Sequence, residues 1–282
     1  MENFMHKESF SFLQYGKWAL VTGASSGIGK AFAFRAARDG VNVVLVSNDN
    51  NALIDTEKEI KAVASVDLIV CCCDLACSDV VDKIREKIGN THIDILISNA
   101  SMGSIGPFYS RELAFYEEML SVNMNAYLRL VYSFLAPMKE KNAGLLLLVS
   151  SVNAYSPVAN SAVYTATKAF ELYLGEALWK ELQFEESKVT CFTLCASSTR
   201  TNFQQKARAR VVPWAWEPEA VVEQGVRSIG KRSSLAIGWR GKAYYYISKF
   251  LPRKFGIAFS TWAINMNLKK DYAGKRIAQG SK

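Results

Sequence analysis

The chain has 282 residues, of which 50% are hydrophobic and 21% charged, with only 6 prolines. It can bury enough apolar surface to offset the entropy of ordering it, which excludes disordered, collagen-like and low-complexity architectures. The net charge of +8 is uneven: residues 203–282 hold 16 Lys and Arg against 4 Asp and Glu, and no nucleic-acid recognition motif accompanies that basic tail, so no nucleic-acid partner is expected.

The first fifteen residues carry Glu2, Lys7 and Glu8 and lack the continuous apolar core of a signal peptide, so a cytoplasmic protein is expected. From Lys17 onward one unit repeats, a short Val/Leu/Ile run followed by a longer segment with helical apolar spacing. Such alternation predicts an α/β fold, a Rossmann-like doubly wound parallel sheet of about seven strands with helices on both faces. The first strand, 18–22, runs straight into Thr22-Gly23-Ala24-Ser25-Ser26-Gly27-Ile28-Gly29, and a helix over 27–39 follows at once. Glycines in such a turn let the backbone approach a pyrophosphate, which then meets the free N–H groups and positive end of the helix. Gly23, Ser25, Ser26, Gly27, Ile28 and Gly29 are therefore candidate dinucleotide contacts. The second strand, 41–47, ends on Ser47 and Asn48. An acid there would pair with the ribose 2′-OH of NAD and repel a 2′-phosphate; its absence favours NADP(H) over NAD(H), with Asp49 close enough to disturb that reading.

A helix over 51–64 leads to a strand at 67–72 and the run Cys71, Cys72, Cys73. Adjacent thiols cannot staple distant segments, so the cysteines are read as reduced and buried. A helix over 79–88 and a strand over 93–98 follow. Histidine is limited to His6 and His92, too few for a zinc site, and no metal is expected. A long helical pattern covers 113–141 with a break near Leu120, then a strand 144–150 and a helix 162–184. On that helix Tyr164 and Lys168 stand four apart and share a face. An ammonium beside a phenol lowers its pKa from about 10 and makes it a usable acid or base near neutrality. Tyr245 and Lys249 repeat the spacing, but Ser151 lies 13 residues before Tyr164 at a strand end, whereas Arg232 stands 13 before Tyr245.

A strand 188–194, a helix 218–231 and a strand 235–238 complete the repeat. The segment 198–218 reads as a lid carrying Phe203, Val211, Val212, Trp214 and Trp216, which fits either an extended apolar substrate or packing on the sheet. Beyond it, residues 239–282 mix Tyr, Phe and Trp with Lys and Arg, a pattern shared by an interfacial helix pair, a hydrophobic cap and an oligomer surface. The uncharged runs 142–167 and 255–268 contain Pro157 or fall short of the ~20 residues that span a bilayer. With no linker composition anywhere, one domain is expected over 1–282, its core at 15–238.

Over about residues 15–230 these pieces resemble the short-chain dehydrogenase/reductase family: Thr22-Gly23…Gly27-Ile28-Gly29, Asp74-Leu75, Asn99-Ala100-Ser101, Val122-Asn123, Ser150-Ser151 and Tyr164-Thr165-Ala166-Thr167-Lys168. The resemblance implies that Tyr164 gives or takes the substrate proton and that Ser151 orients and polarises the carbonyl. Lys168 would hold the nicotinamide ribose and tune Tyr164, and Asn123 would position a water relaying protons to Lys168. It also implies that Asp74 meets the adenine, that Leu75 is among the cofactor contacts, that Asn99 and Ala100 line the adenosine, and that Ala196, Thr199 and Thr201 lie by the carboxamide. Two pieces depart from the family pattern. Ser101 replaces a glycine, and Ala196-Ser197 replaces Pro-Gly, which removes a φ held near −65° and loosens the backbone beneath the nicotinamide. The helices 113–141 and 162–184 resemble those that pair across two-fold axes in the family, so a homodimer or homotetramer is expected. The implied activity is NADP(H)-dependent reduction of a ketone, or oxidation of the alcohol, on a lipophilic molecule such as a 3-oxoacyl chain or a sterol. An NAD-dependent secondary-alcohol dehydrogenase and a non-catalytic dinucleotide-binding regulator are the alternatives. A peripheral membrane contact is expected of the segment 239–282.

Overall fold

The computed structural model describes residues 10–265. Seven parallel strands stand in the order β3-β2-β1-β4-β5-β6-β7. They are β1 (Trp18–Thr22), β2 (Asn42–Ser47), β3 (Leu68–Cys72), β4 (Ile95–Ser98), β5 (Leu145–Ser151), β6 (Thr190–Ala196) and β7 (Ser234–Ala236). Between and around them run α1 (Gly27–Arg38), α2 (Asn50–Lys61), α3 (Val80–Ile88), α4 (Leu113–Leu120), α5 (Tyr127–Lys141), α6 (Ala162–Phe184), α7 (Phe203–Lys206), α8 (Pro218–Val226), α9 (Gly238–Phe250) and α10 (Arg253–Asn265).

Side chains alternate across a strand, so consecutive apolar residues feed two separate cores. Val21, Leu45, Ile97, Leu147 and Leu194 face one way and pack with Phe32, Ala33 and Ala36 of α1 and Val221 and Val222 of α8. Their neighbours Leu20, Val44, Leu96, Leu146 and Leu148 face the other way, toward Leu130, Val131 and Phe134 of α5 and Ile84 of α3. All seven residues of β5 are buried, because both faces of this central strand are covered.

Strand order reverses between β1 and β4, and in open α/β sheets that switch point opens a crevice at the carboxyl ends of the strands. Thr22 joins its two walls. Its Oγ1 accepts the N–H groups of Asn99 at 2.9 Å and Ala100 at 3.0 Å, and the Asn99 amide donates to the Thr22 carbonyl.

The elements agree with the sequence reading to within a few residues except at three places. The break expected near Leu120 is a change of pitch: α4 continues through a π-helical turn, Ser121–Ala126, into α5. The helix expected to reach residue 231 ends at Val226, where the chain tightens into turns bonded three residues back and Gly230 takes φ +75°. The last strand ends at Ala236 because Gly238, at φ +70°, opens α9 with the Trp216 indole lying 2.7 Å from where a Cβ would stand.

One environment also differs. Cys72 is exposed while Cys71 and Cys73 are buried, since β3 is the outermost strand and its last side chain, Cys72, alternates away from those of Cys71 and Cys73. All six cysteines are free thiols. Helices α9 and α10 pack on each other through Tyr244 and Phe259, and they sit beside the end of β5, where Tyr245 meets Tyr155 edge-on and Thr261 Oγ1 accepts the Ala159 N–H. Among the described residues, no helix is long and apolar enough to cross a membrane.

Candidate active site

The glycine-rich turn closes tightly on the far wall of the crevice. A Cβ at Gly23, which has φ +68°, would lie 2.8 Å from the Asn99 amide nitrogen, and one at Gly29 would lie 2.3 Å from the Gly23 carbonyl oxygen. Helix α1 begins there without an acidic residue in its first turn, and Ser26 at its N-cap makes no side-chain cap. Its first N–H groups and positive end are therefore left suited to receive an anion, and Ile28 anchors the turn to the core. These residues fit the pyrophosphate of a dinucleotide.

At the end of β2, Ser47 is buried and its Oγ lies 2.8 Å from that of Ser25, while Asn48 is exposed. The Asp49 carboxylate accepts the Ala52 N–H at 3.1 Å and caps α2, so the acid nearest this corner is engaged with the helix it starts. Asp74 is exposed after β3 and accepts the Ala76 N–H, with Leu75 buried beneath it.

Ser151 ends β5 and Tyr164 and Lys168 rise from the first turns of α6, all three buried. Burial raises the Tyr164 phenol above its ordinary value; the Lys168 charge and a hydrogen bond with Ser151 act against that rise, and Glu171 adds to it. The Lys168 ammonium lies 5.8 Å from the centre of the Tyr164 ring. It donates to the Val149 carbonyl at 3.3 Å and to both Glu171 carboxylate oxygens, at 3.0 and 2.8 Å. Glu171 was not among the expected site residues. Its signal in the sequence is an acid three positions after the lysine, on the same face of the helix.

Asn123 is fully buried in the π-helical turn, and its side-chain amide is wholly engaged. Nδ2 donates to the Met102 carbonyl and to Thr167 Oγ1, each at 2.9 Å, while Oδ1 accepts the Met102 N–H at 2.8 Å and the Ser101 hydroxyl at 3.2 Å. The residue thus clamps the loop after β4 to α6, and the serine that departs from the family pattern becomes one of its partners.

The loop after β6 is tethered, contrary to the loosening expected of Ala196-Ser197. Ser197 Oγ donates to the Ile237 carbonyl, Thr199 Oγ1 donates back to the Ser197 carbonyl at 2.8 Å, and Thr199 pairs with Trp216 in a short parallel bridge. A hydroxyl network holds what a proline ring would have held. Thr201 packs its methyl against Gly27 and bonds Gln204 at 3.0 Å, which brings this loop over the glycine-rich turn. Two residues on, Phe203 lies 5.6 Å from the Tyr164 ring and against Gly103, and Met102 packs on the same Tyr164 cluster. A small cavity lies beside Tyr164, lined by Ser104, Tyr116, Ser161 and Val163. The other lid residues divide: Val212 is buried and Trp216 packs on the core, whereas Val211 and Trp214 are exposed. The second Tyr–Lys pair stays at the surface, with Lys249 donating to Tyr245 at 3.4 Å.

Residues 17–211 match the family model for short chain dehydrogenases. The chain is 29% identical over 234 residues to a 7beta-hydroxysteroid dehydrogenase of Mediterraneibacter gnavus, across 82% of this chain and 89% of that protein. It is 28% identical over 228 residues to the very-long-chain 3-oxoacyl-CoA reductase of Homo sapiens, across 77% and 70% of the two chains. A solved short-chain dehydrogenase from Sphingobium yanoikuyae in complex with NADPH superposes with a TM-score of 0.71 at 27% identity, covering 78% of this chain and 86% of that one.

Proposed function

Since the chain belongs to the short-chain dehydrogenase family and is an NAD(P)-dependent oxidoreductase, we propose that it transfers hydride between NADP(H) and the carbonyl or alcohol carbon of a lipophilic substrate. The observation that carries this reading is the buried corner where Ser151, Tyr164 and Lys168 meet beside the crevice of the glycine-rich turn. When bound, the nicotinamide supplies or accepts the hydride. The Tyr164 hydroxyl gives a proton to the carbonyl oxygen in reduction and takes one from the alcohol in oxidation. Ser151 Oγ bonds the same oxygen, and the Lys168 charge favours the phenolate that reduction leaves behind. Because the Asn123 side-chain amide is fully paired, that group serves to clamp the loop after β4 to α6 rather than to hold a relay water itself.

Two features support a lipophilic substrate. Met102, Tyr116, Val163 and Phe203 form the apolar surround of Tyr164, and the relatives are by name a hydroxysteroid dehydrogenase and a very-long-chain acyl reductase. The preference for NADP(H) rests on Ser47 and Asn48, which offer hydrogen bonds and no carboxylate at the ribose corner. Steroid ketones, 3-oxoacyl thioesters, short hydrophilic ketones as the polar comparison, and the corresponding alcohols should be assayed with both cofactors. Turnover confined to the lipophilic members is expected; no turnover of any member by protein that binds NADPH overturns the reading in favour of a binding module.

Leu128 and Tyr132 on α5 and Tyr173 on α6 are exposed, and they fit a two-fold pairing of copies across these helices. Light scattering should give a multiple of 31.4 kDa, which Tyr132→Glu reduces toward the single chain. A mass of 31.4 kDa for the unmodified protein at micromolar concentration contradicts the pairing.

The α9–α10 pair presents Trp239, Tyr246 and Phe250 from one helix and Leu251, Phe255 and Trp262 around the other, all exposed, with Phe250 at 75%. Arg240, Lys242, Lys249, Arg253 and Lys254 lie among them, and no acid occurs from 239 to 265. Rings flanked only by cations match an anionic lipid surface, to which each well-placed cation adds about 1 kcal/mol. The protein should pellet with anionic vesicles, less so as salt rises. A protein that ignores such vesicles at low salt, with this face shielded only on self-association, would show a second copy to be the occupant.

A further inference from the structure

The buried corner contains a charge that the reaction as described does not use. Glu171 lies one turn beyond Lys168 on α6, is 1% exposed, and holds the lysine ammonium through both carboxylate oxygens. We propose that Glu171 is a positioning residue that sets the working pH of the site, acting through Lys168 on Tyr164. The proposal rests on Tyr164 being the acid and base of the reaction.

The physical case begins with the lysine. A lone ammonium buried beside a phenol pulls strongly toward phenolate, because little solvent screens it. A carboxylate in direct contact with that ammonium makes the pair neutral overall, and its own negative charge opposes ionisation of the phenol. The neighbouring groups do not replace it. From α5, Tyr127 reaches the Glu171 carbonyl at 3.4 Å, and burial holds its phenol well above the ordinary value. From β6, burial pushes Cys191 and Cys195 up to about 12, so both are neutral thiols near pH 7. From the turn after β5, burial likewise raises Tyr155 far above the ordinary range. From β5 itself come the Val149 carbonyl and the Ser150 hydroxyl, the latter donating to the Lys168 carbonyl at 2.7 Å. Glu176, the next acid on α6, accepts from Ser234 Oγ at 2.6 Å. Lys168 and Glu171 are thus the charged pair in contact beside the phenol.

Burial lifts the Glu171 carboxyl to about 7, against the opposing pull of Lys168 and Ser150. Below that pH the acid is protonated and the lysine acts unopposed; above it the pair is neutral and the phenol harder to ionise. Glu171 therefore resists formation of the phenolate on the alkaline side and keeps Tyr164 protonated, the form that reduction needs.

The test is the pH profile of alcohol oxidation, whose rising limb reports the Tyr164 phenol. Glu171→Gln should move that limb at least about one unit toward acid, since it removes a negative charge near a buried acid. Glu171→Asp, which keeps the charge, should return it toward the unmodified position. A cofactor-free readout is the phenolate absorbance of each protein, taken as the difference from its Tyr164→Phe counterpart and titrated over the same range. A limb unmoved in Glu171→Gln, even with a lowered Tm, overturns the proposal and leaves Glu171 a mere counter-ion. If Glu171→Gln does not fold, Glu171→Met takes its place, since its straight side chain fills similar space without the charge. Its limb should lie toward acid of the unmodified one, and coincident limbs again overturn the proposal. Failure of the underlying reading is separate: it would appear as full activity in Tyr164→Phe.

Discussion

Tyr164→Phe is expected to fold, to bind NADPH as the unmodified protein does, and to turn over at least ~100-fold more slowly, the low end of general acid–base contributions. The ring keeps its place because its contacts with Phe203 and the Met102 loop are apolar and the phenyl group preserves them. What is lost is the proton. Lys168 cannot replace it from where it stands, held between the Val149 carbonyl and Glu171, and Ser151 lacks the acidity. Tyr245→Phe is the matched control, because it removes a hydroxyl with the same lysine spacing in an exposed setting. Steady-state turnover with a nucleotide titration on each variant checks the expectation. Near-normal rates for the first, or an equal loss in the second, would remove Tyr164 from the mechanism.

The second large effect is expected at the ribose corner. Ser47→Asp should reverse a preference for NADPH, weakening it tenfold or more, on the order of 1.4 kcal/mol, relative to NADH. The new carboxylate would have donors to meet it, since Ser25 Oγ lies 2.8 Å from Ser47 Oγ and the Asp49 N–H already points there at 3.3 Å. It can thus be accommodated in the fold while opposing a 2′-phosphate. Fluorescence titrations with both nucleotides decide the matter, and tighter binding of NADH by the unmodified protein would reject the premise.

Strands were legible because their apolar runs are short and are bounded by glycine or polar residues, and because a strand buried on both faces shows a continuous run. The placement of Tyr164, Lys168 and Ser151 was legible for a related reason: a four-residue helical spacing and a strand end are both readable along the chain. What was not legible depended on atoms far apart in sequence. Nothing around Ser197 announces that its hydroxyl will reach the Ile237 carbonyl 40 residues away, so a missing proline read as a loosened loop. The π-helical turn escaped because its apolar spacing departs from that of an α-helix by a single residue, which reads as a break. Glu171 was passed over because an acid on a helix is ordinarily solvated, and only the packing of α6 on β5 and β6 removes its water.

The hydrogen bonds from Asn99 and Ala100 to Thr22 also bear on how the molecule comes into being. They close a loop of 77 residues, so the crevice wall opposite the glycine-rich turn does not exist until β4 has left the ribosome and paired. A nascent chain carrying only α1 and β2 therefore has half of the proposed nucleotide site, and the nucleotide cannot act as a folding ligand for it. Once β4 docks, nucleotide binding at that proposed site would hold the N-terminal half together by mass action while β5, α6 and the Tyr164–Lys168 pair are still being synthesised.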